Sequence, residues 1–298
     1  MKKNLKKERK NCNKKNILIT GAGGHLGPFL LNKIPEKEYN IFVIEKEKPK
    51  KRIEGIDYLI IDISNKNQLK KCKKIFEKID ILIHLAAYVP LERKFDDFDK
   101  SIDINIKGSV NLVNLLKEGS KFIFANTCEI YNPKTFYAIS KLVAEKYLEV
   151  ICQKRGIKFI SLRFASIYGP GEKIQRAIPN FIKSAIKNEN IIIFGDGKEK
   201  RSYLYIEDAV QAIIQSICYP PKGIFNISSE EIVTISDLAK LIKNIAKSDS
   251  EIIFEPRKKE KKDLVFSIKK AKRELKFRPK FRLKDGLKKE IEYFRKHG

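Results

Sequence analysis

The residues best equipped for chemistry stand close together, in the run Thr127-Cys-Glu129-Ile-Tyr131-Asn-Pro-Lys-Thr-Phe-Tyr137-Ala-Ile-Ser-Lys141. It offers a hydroxyl (Thr127), a carboxylate (Glu129), a phenol (Tyr137) and an amine (Lys141). Tyr137 and Lys141 are four residues apart, so on a helix they share a face and meet over one pocket. An ammonium beside a phenol favours the phenolate and lowers a pKa that starts at about 10. The predicted product is a tyrosine that works as a base. Lysine fills 51 of the 298 positions, so the pair is a common pattern by itself, yet of eleven tyrosines only Tyr137 has a lysine four residues on.

Elements upstream must position these groups. Short apolar runs at Ile17 to Thr20, Ile41 to Glu45, Tyr58 to Asp62, Ile81 to Ala86, Phe122 to Asn126 and Phe159 to Phe164 alternate with amphipathic stretches. Those stretches include Asn67 to Lys78, Ile102 to Leu116 and Ser140 to Lys154. The alternation predicts an α/β fold, a doubly wound parallel sheet covered on both faces. After Phe164 the order breaks: Tyr168-Gly-Pro-Gly171 reads as a turn and Ala177 to Lys187 as a helix, with mixed short elements beyond.

The first run flows into Gly21-Ala-Gly-Gly24-His25-Leu26-Gly27 and a helical Pro28-Phe-Leu-Leu31. Glycines 21, 24 and 27 let the backbone turn tightly, approach a pyrophosphate and close the helix onto the strand. The helix N-terminus, with His25 and Leu26 leading into it, attracts the anion. Glu45 answers the loop from the end of the second run, eighteen residues past Gly27. A carboxylate there binds the adenosine ribose hydroxyls and repels a 2'-phosphate, which favours NAD over NADP, although Lys46 and Lys48 stand close by. Asp62 and Ile63 are placed to border the adenine, and Ala86-Ala87 lets the backbone pass near the cofactor.

A net charge of +26 invites a nucleic-acid reading, but only 12 of the 63 basic residues are Arg and the lysines run along the whole chain. Arg is the residue favoured for bidentate phosphate and base contacts, so nucleic acid is disfavoured as a partner; an anionic substrate would still profit from the field. Five cysteines, with no Cys-x-x-Cys pair, and three scattered histidines signal neither a disulfide framework nor a metal site. The basic start of the chain leads into no apolar run long enough for a signal peptide, and no stretch reaches about eighteen apolar residues. The expectation is a cytoplasmic protein without a membrane span.

Taken in order, these segments resemble the extended short-chain dehydrogenase/reductase family, in its NAD-dependent nucleotide-sugar epimerase/dehydratase branch. The matching segments are Thr20-Gly-Ala-Gly-Gly-His-Leu-Gly27, His84-Leu-Ala-Ala87, Asn105-Ile-Lys-Gly108, Thr127-Cys-Glu-Ile-Tyr131, Tyr137-Ala-Ile-Ser-Lys141 and Leu162-Arg-Phe-Ala-Ser-Ile-Tyr-Gly-Pro170. Gly195-Asp-Gly197, Arg201-Ser-Tyr-Leu-Tyr-Ile-Glu-Asp208, Gly223-Ile-Phe-Asn-Ile227 and Ala271-Lys-Arg-Glu-Leu275 follow.

The basic composition of the start reads as a flexible tail over 1–14, and the resemblance implies a Rossmann-type NAD domain over 15–165 with a return strand near 223–228. A smaller C-terminal mixed α/β domain over 166–298 would grip a nucleoside diphosphate. It also implies Thr127, Tyr137 and Lys141 as the catalytic set, Asn105 on the cofactor side, and Ser166, Arg201, Arg257 and Glu260 on the substrate. A homodimer through the helices Ile102 to Leu116 and Ser140 to Lys154 completes what it implies.

Three departures blur the substrate. Glu129 stands where dehydratases and decarboxylases of the branch carry a glutamate, while Cys128 fills the slot where some dehydratases carry an aspartic acid. Only five residues lie between Tyr131 and Tyr137, where relatives commonly have a longer loop lining the sugar pocket. Ser166 replaces a frequent asparagine. Epimerase is therefore read ahead of dehydratase or decarboxylase, with an NADPH-dependent keto-sugar or carbonyl reductase and a non-catalytic dinucleotide-binding regulator as alternatives.

Overall fold

The computed structural model describes residues 14–49, 52–91, 97–219, 222–257 and 262–297. Glu260 and the tail before Lys14 lie outside the described residues. The apolar runs become strands β1 (Lys15–Thr20), β2 (Tyr39–Glu45), β3 (Ile56–Ile60), β4 (Ile81–His84), β5 (Lys121–Thr127) and β6 (Lys158–Phe164), and Gly223–Ile227 supplies β7. All pair in parallel, in the order β7-β6-β5-β4-β1-β2-β3. This is the doubly wound sheet that the alternation predicts. Strand order reverses between β1 and β4, the kind of switch point at whose carboxyl end doubly wound sheets take their ligands.

Two apolar layers hold helices on the faces. On one side Ile17, Ile19, Val43, Ile83 and Leu162 pack with the helix Ile206–Cys218; on the other Leu18, Leu82, Phe122 and Phe124 pack with Leu112, Ala144 and Leu148. A third cluster, around Ile182, Ile206, Leu238 and Leu287, builds a smaller lobe from the helices Ala177–Ile186, Ile235–Ala246 and Leu283–His297. The short ladders Ile191–Phe194 with Ile252–Glu255, and Lys200–Arg201 with Val233–Thr234, belong to that part of the chain.

Three elements differ from the sequence pattern. The third strand ends at Ile60, so Asp62 and Ile63 sit in the turn beyond it. The helix expected over Asn67 to Lys78 forms as Lys66–Lys71 and Lys73–Phe76, divided at Cys72, with Asn65 capping the first piece. The stretch Ile102 to Leu116 begins earlier, at Phe98, is π-helical from Ser101 to Gly108, and ends at Val113. Its Asn105 carbonyl is satisfied by the Ser109 hydroxyl at 2.6 Å.

Candidate active site

The dinucleotide loop is shaped by what cannot fit in it. Gly21 has φ +74°, and a Cβ there would come within 2.5 Å of the Ala86 nitrogen, so the loops after β1 and β4 touch backbone to backbone. At Gly27 a Cβ would strike the Ala22 carbonyl oxygen at 1.9 Å, which is why only glycine lets the helix start there. Thr20 Oγ1 bonds His84 Nδ1 at 2.6 Å, and His84 Nε2 bonds Ser109 at 2.9 Å, tying β1, β4 and the following helix together. Thr20 Oγ1 also accepts from the Ala86 N–H at 3.3 Å.

Glu45 accepts from the Gly23 N–H at 2.5 Å, and burial raises its pKa while the Gly23 and Ala22 amides oppose that. A carboxylate folded over the loop at the end of β2 fits a group with ribose hydroxyls to offer. Asp62 accepts from the Ser64 amide and hydroxyl and pairs with Lys46 at 3.2 Å, so Lys46 is engaged by an acid. These residues fit a dinucleotide.

Other sequence-predicted residues also hold the site together. The Ile63 side chain is buried in the core, against Gly108, and its carbonyl accepts from Asn111, so only its backbone is placed to border an adenine. Asn105, 1% exposed, binds the Tyr88 amide and carbonyl and the Ser140 hydroxyl, and so locks the loop after β4 to the helix Phe136–Lys154. His25 Nε2 lies 3.2 Å from the carbonyl oxygens of Gly169 and Pro170, linking the dinucleotide loop to the turn after β6.

Thr127 ends β5, and its hydroxyl accepts from the Glu129 amide to cap the turn Cys128–Tyr131. Four residues later Thr135 caps the helix Phe136–Lys154 through the Ala138 amide. The chain therefore passes from strand to helix with almost no loop, and Tyr137 enters in the first turn. The Thr127 hydroxyl comes near enough to the Tyr137 phenol to lower its pKa.

The electrostatics correct one expectation. Burial raises the Tyr137 pKa above the ordinary range, Glu129 adds to the rise, and Arg176 and the Thr127 hydroxyl oppose it. Lys141 is 2% exposed with its Nζ 3.9 Å over the Phe124 ring, and burial draws it down to about 7, with Glu145 opposing. A lysine sunk among aromatic rings loses part of its charge, so it does not by itself make Tyr137 a phenolate.

Beneath the site, Glu145 is fully buried and accepts from Arg163 through Nε at 3.0 Å and Nη2 at 2.5 Å, from Ser161 and from Asn126. Arg163 also donates to the Tyr131 hydroxyl at 2.9 Å, which donates to Asn226 at 2.8 Å. Cys128 is 3% exposed, donates to the Arg163 carbonyl at 3.1 Å and is pushed up to about 12 by burial, so it is an inert thiol and no replacement for an acid.

Thr127, Glu129, Ser166 and Arg176 line one small cleft with Phe164, Leu264 and Phe266. Arg176 was not singled out by sequence. It leads into the helix Ala177–Ile186, where a cation opposes the helix dipole; that unfavourable placement is the signal that could have found it. It pairs with Glu129 at 3.4 Å. Arg201 and Arg257 converge instead on Glu199. Among the described residues no group of three His, Cys, Asp or Glu could hold a metal ion, and no helix is long and apolar enough to cross a membrane.

Residues 17–228 match the model of the NAD dependent epimerase/dehydratase family. The chain belongs to this family. As a member of the epimerase/dehydratase family it is 28% identical over 318 residues to the UDP-N-acetyl-alpha-D-glucosaminuronate decarboxylase of Bacillus cytotoxicus, covering 95% of this chain and 98% of that one. It is 26% identical over 303 residues to a putative UDP-glucose 4-epimerase of Methanocaldococcus jannaschii, covering 94% and 98%. The solved UDP-glucose 4-epimerase of Thermotoga maritima, with UDP-glucose, superposes with a TM-score of 0.81 at 28% identity, over 94% of this chain and 99% of that one. Family membership makes the protein an NAD-dependent enzyme of the extended short-chain dehydrogenase/reductase type.

Proposed function

We propose that this enzyme acts on a nucleoside-diphosphate sugar through a transient 4-keto sugar, with epimerisation ahead of dehydration or decarboxylation. The observation that carries the reading is the Thr127 hydroxyl acting on the Tyr137 phenol at the carboxyl end of the sheet, beside a dinucleotide loop at the switch point. When bound, NAD supplies the hydride acceptor. As the phenolate, which the positive charge of bound NAD would favour, Tyr137 takes the proton of the sugar hydroxyl as the carbon is oxidised and returns it when the ketone is reduced on either face. Thr127 hydrogen-bonds the same oxygen, and Lys141, sharing the helix face of Tyr137, holds the cofactor's ribose. Glu129 stands ready for a proton at the neighbouring carbon.

Arg201 and Arg257 are read as the diphosphate contacts, and Phe254, 52% exposed beside the Gly195–Gly197 turn, offers a face to the base. Domain roles follow the same division, with 15–165 and β7 for NAD and 166–298 for the substrate. A homodimer is supported by the exposed apolar residues Phe98, Phe136, Ile139, Tyr147 and Val150 on the helices that begin at Phe98 and Phe136. A cytoplasmic site of action accords with the free thiols of Cys72, Cys128, Cys152 and Cys218.

The test is to measure NAD(H) retained by the purified protein and the nicotinamide absorbance change with UDP-, GDP-, CDP- and dTDP-sugars. Absence of both sinks the reading.

A further inference from the structure

Glu199 is 1% exposed, and among the described residues neither of its carboxylate oxygens has an aligned hydrogen-bond donor. Its compensation is ionic: Arg257 Nη2 contacts Oε1, and Arg201 Nη2 stands 3.9 Å from the same atom. The backbone around it is clamped, since the Glu199 carbonyl accepts from Ile235 at 3.2 Å and the Lys200 amide donates to Asp263 at 2.8 Å. Arg201 is fixed by the Lys200 and Lys262 carbonyls, which its Nη1 binds. Arg257 arches over the Gly195 turn, where a Cβ would lie 3.5 Å from its own. Burial lowers the pKa of Arg201, and the Arg257 guanidinium adds to that while Tyr203, Glu199 and Asp263 oppose it.

Two cations so near each other repel when no anion is present, and one buried carboxylate between them cancels half their charge. An ion pair without aligned hydrogen bonds is also the kind a stronger anion can displace, because planar guanidiniums favour bidentate contacts with phosphate. We propose that Glu199 is a positioning residue for the diphosphate, holding Arg201 and Arg257 together in the unliganded protein and competing with the phosphates for them. This rests on the nucleotide-sugar reading. Glu199 thereby adds stability to the empty site and lowers its affinity.

The experiment is calorimetric titration of UDP and of dTDP, each without sugar, into the wild type and Glu199→Gln. The variant is expected to bind the preferred nucleotide about tenfold more tightly, since the competing charge is gone, and to unfold at a lower temperature when empty. KM for the sugar nucleotide should fall while the single-turnover rate of hydride transfer stays unchanged, a split that a purely structural role would not produce. The gain should vanish in Arg257→Ala.

If Glu199→Gln does not fold, Glu199→Asp, which withdraws the charge by one methylene, is expected to bind about twofold more tightly. Unchanged or weaker binding by the folded variant overturns the role of Glu199 and leaves the nucleotide-sugar reading standing. A wild type that binds neither of these, nor GDP or CDP, overturns both.

Discussion

Arg176 and Glu129 pair at 3.4 Å across the mouth of the cleft, and Tyr137 lies in the field of both. Glu129 raises the tyrosine's pKa and Arg176 lowers it. In the pH profile of kcat/KM, the limb on which Tyr137 loses its proton should therefore move to lower pH in Glu129→Gln and to higher pH in Arg176→Met, by roughly one unit. Shifts in the same direction would show that the pair acts on something other than Tyr137.

Tyr137→Phe removes the group that carries the sugar's proton and leaves the dinucleotide loop intact. Turnover should fall by about 10²- to 10⁴-fold with the cofactor content unchanged. Single-turnover absorbance and extraction of bound nucleotide check both halves, and a variant that keeps its rate removes Tyr137 from the mechanism.

Lys141 carries a stability signature. Its folded pKa of about 7 lies below the unfolded value of 10.5, so the unfolded chain binds more protons in between. Its contribution is fully present above the unfolded value, is lost as pH falls toward about 7, and is level below that. Lys141→Met should erase this slope and be more stable than the wild type near pH 7, by a few kcal/mol as an order of magnitude. Melting temperatures of both proteins between pH 6 and 10 decide it; parallel curves would mean that Lys141 is hydrated.

Arg163 and Glu145 form the buried ionic floor of the site. Arg163→Met leaves the Glu145 charge uncompensated and should cost about 3–5 kcal/mol in urea unfolding. Pairing it with Glu145→Gln should recover much of the loss, and an additive double variant would deny that the two charges are coupled.

Gly21→Ala should lose NAD and stability together, because the methyl group would enter the Ala86 backbone at a φ of +74°. Cofactor content and melting temperature measured on one preparation check both, and an alanine variant with normal NAD content would contradict the close approach of the two loops.

Much of the fold was legible because a parallel sheet buried on both faces writes itself as continuous apolar runs, as at Ile17–Thr20 and Ile81–His84. The boundary near Asp62 was misread since Ile61 and Ile63 are as apolar as strand residues but pack from a turn. Thr127, Tyr137 and Lys141 could be named because strand, turn and helix lie next to one another in the chain. Arg176 could not, as it reaches Glu129 from 47 residues away.

The sequence by itself determined the sheet, the dinucleotide loop and the helical spacing that puts Tyr137 and Lys141 on one face, since each depends on local periodicity and on glycines that allow no substitute. Only the tertiary structure decided how those groups are charged. Burial depth and distant neighbours set the proton affinity of Tyr137 and Lys141, the inertness of Cys128 and the partners of Arg176, Arg201 and Arg257. Desolvation and Coulomb energies depend on distance in space, which the order of residues along a chain does not contain.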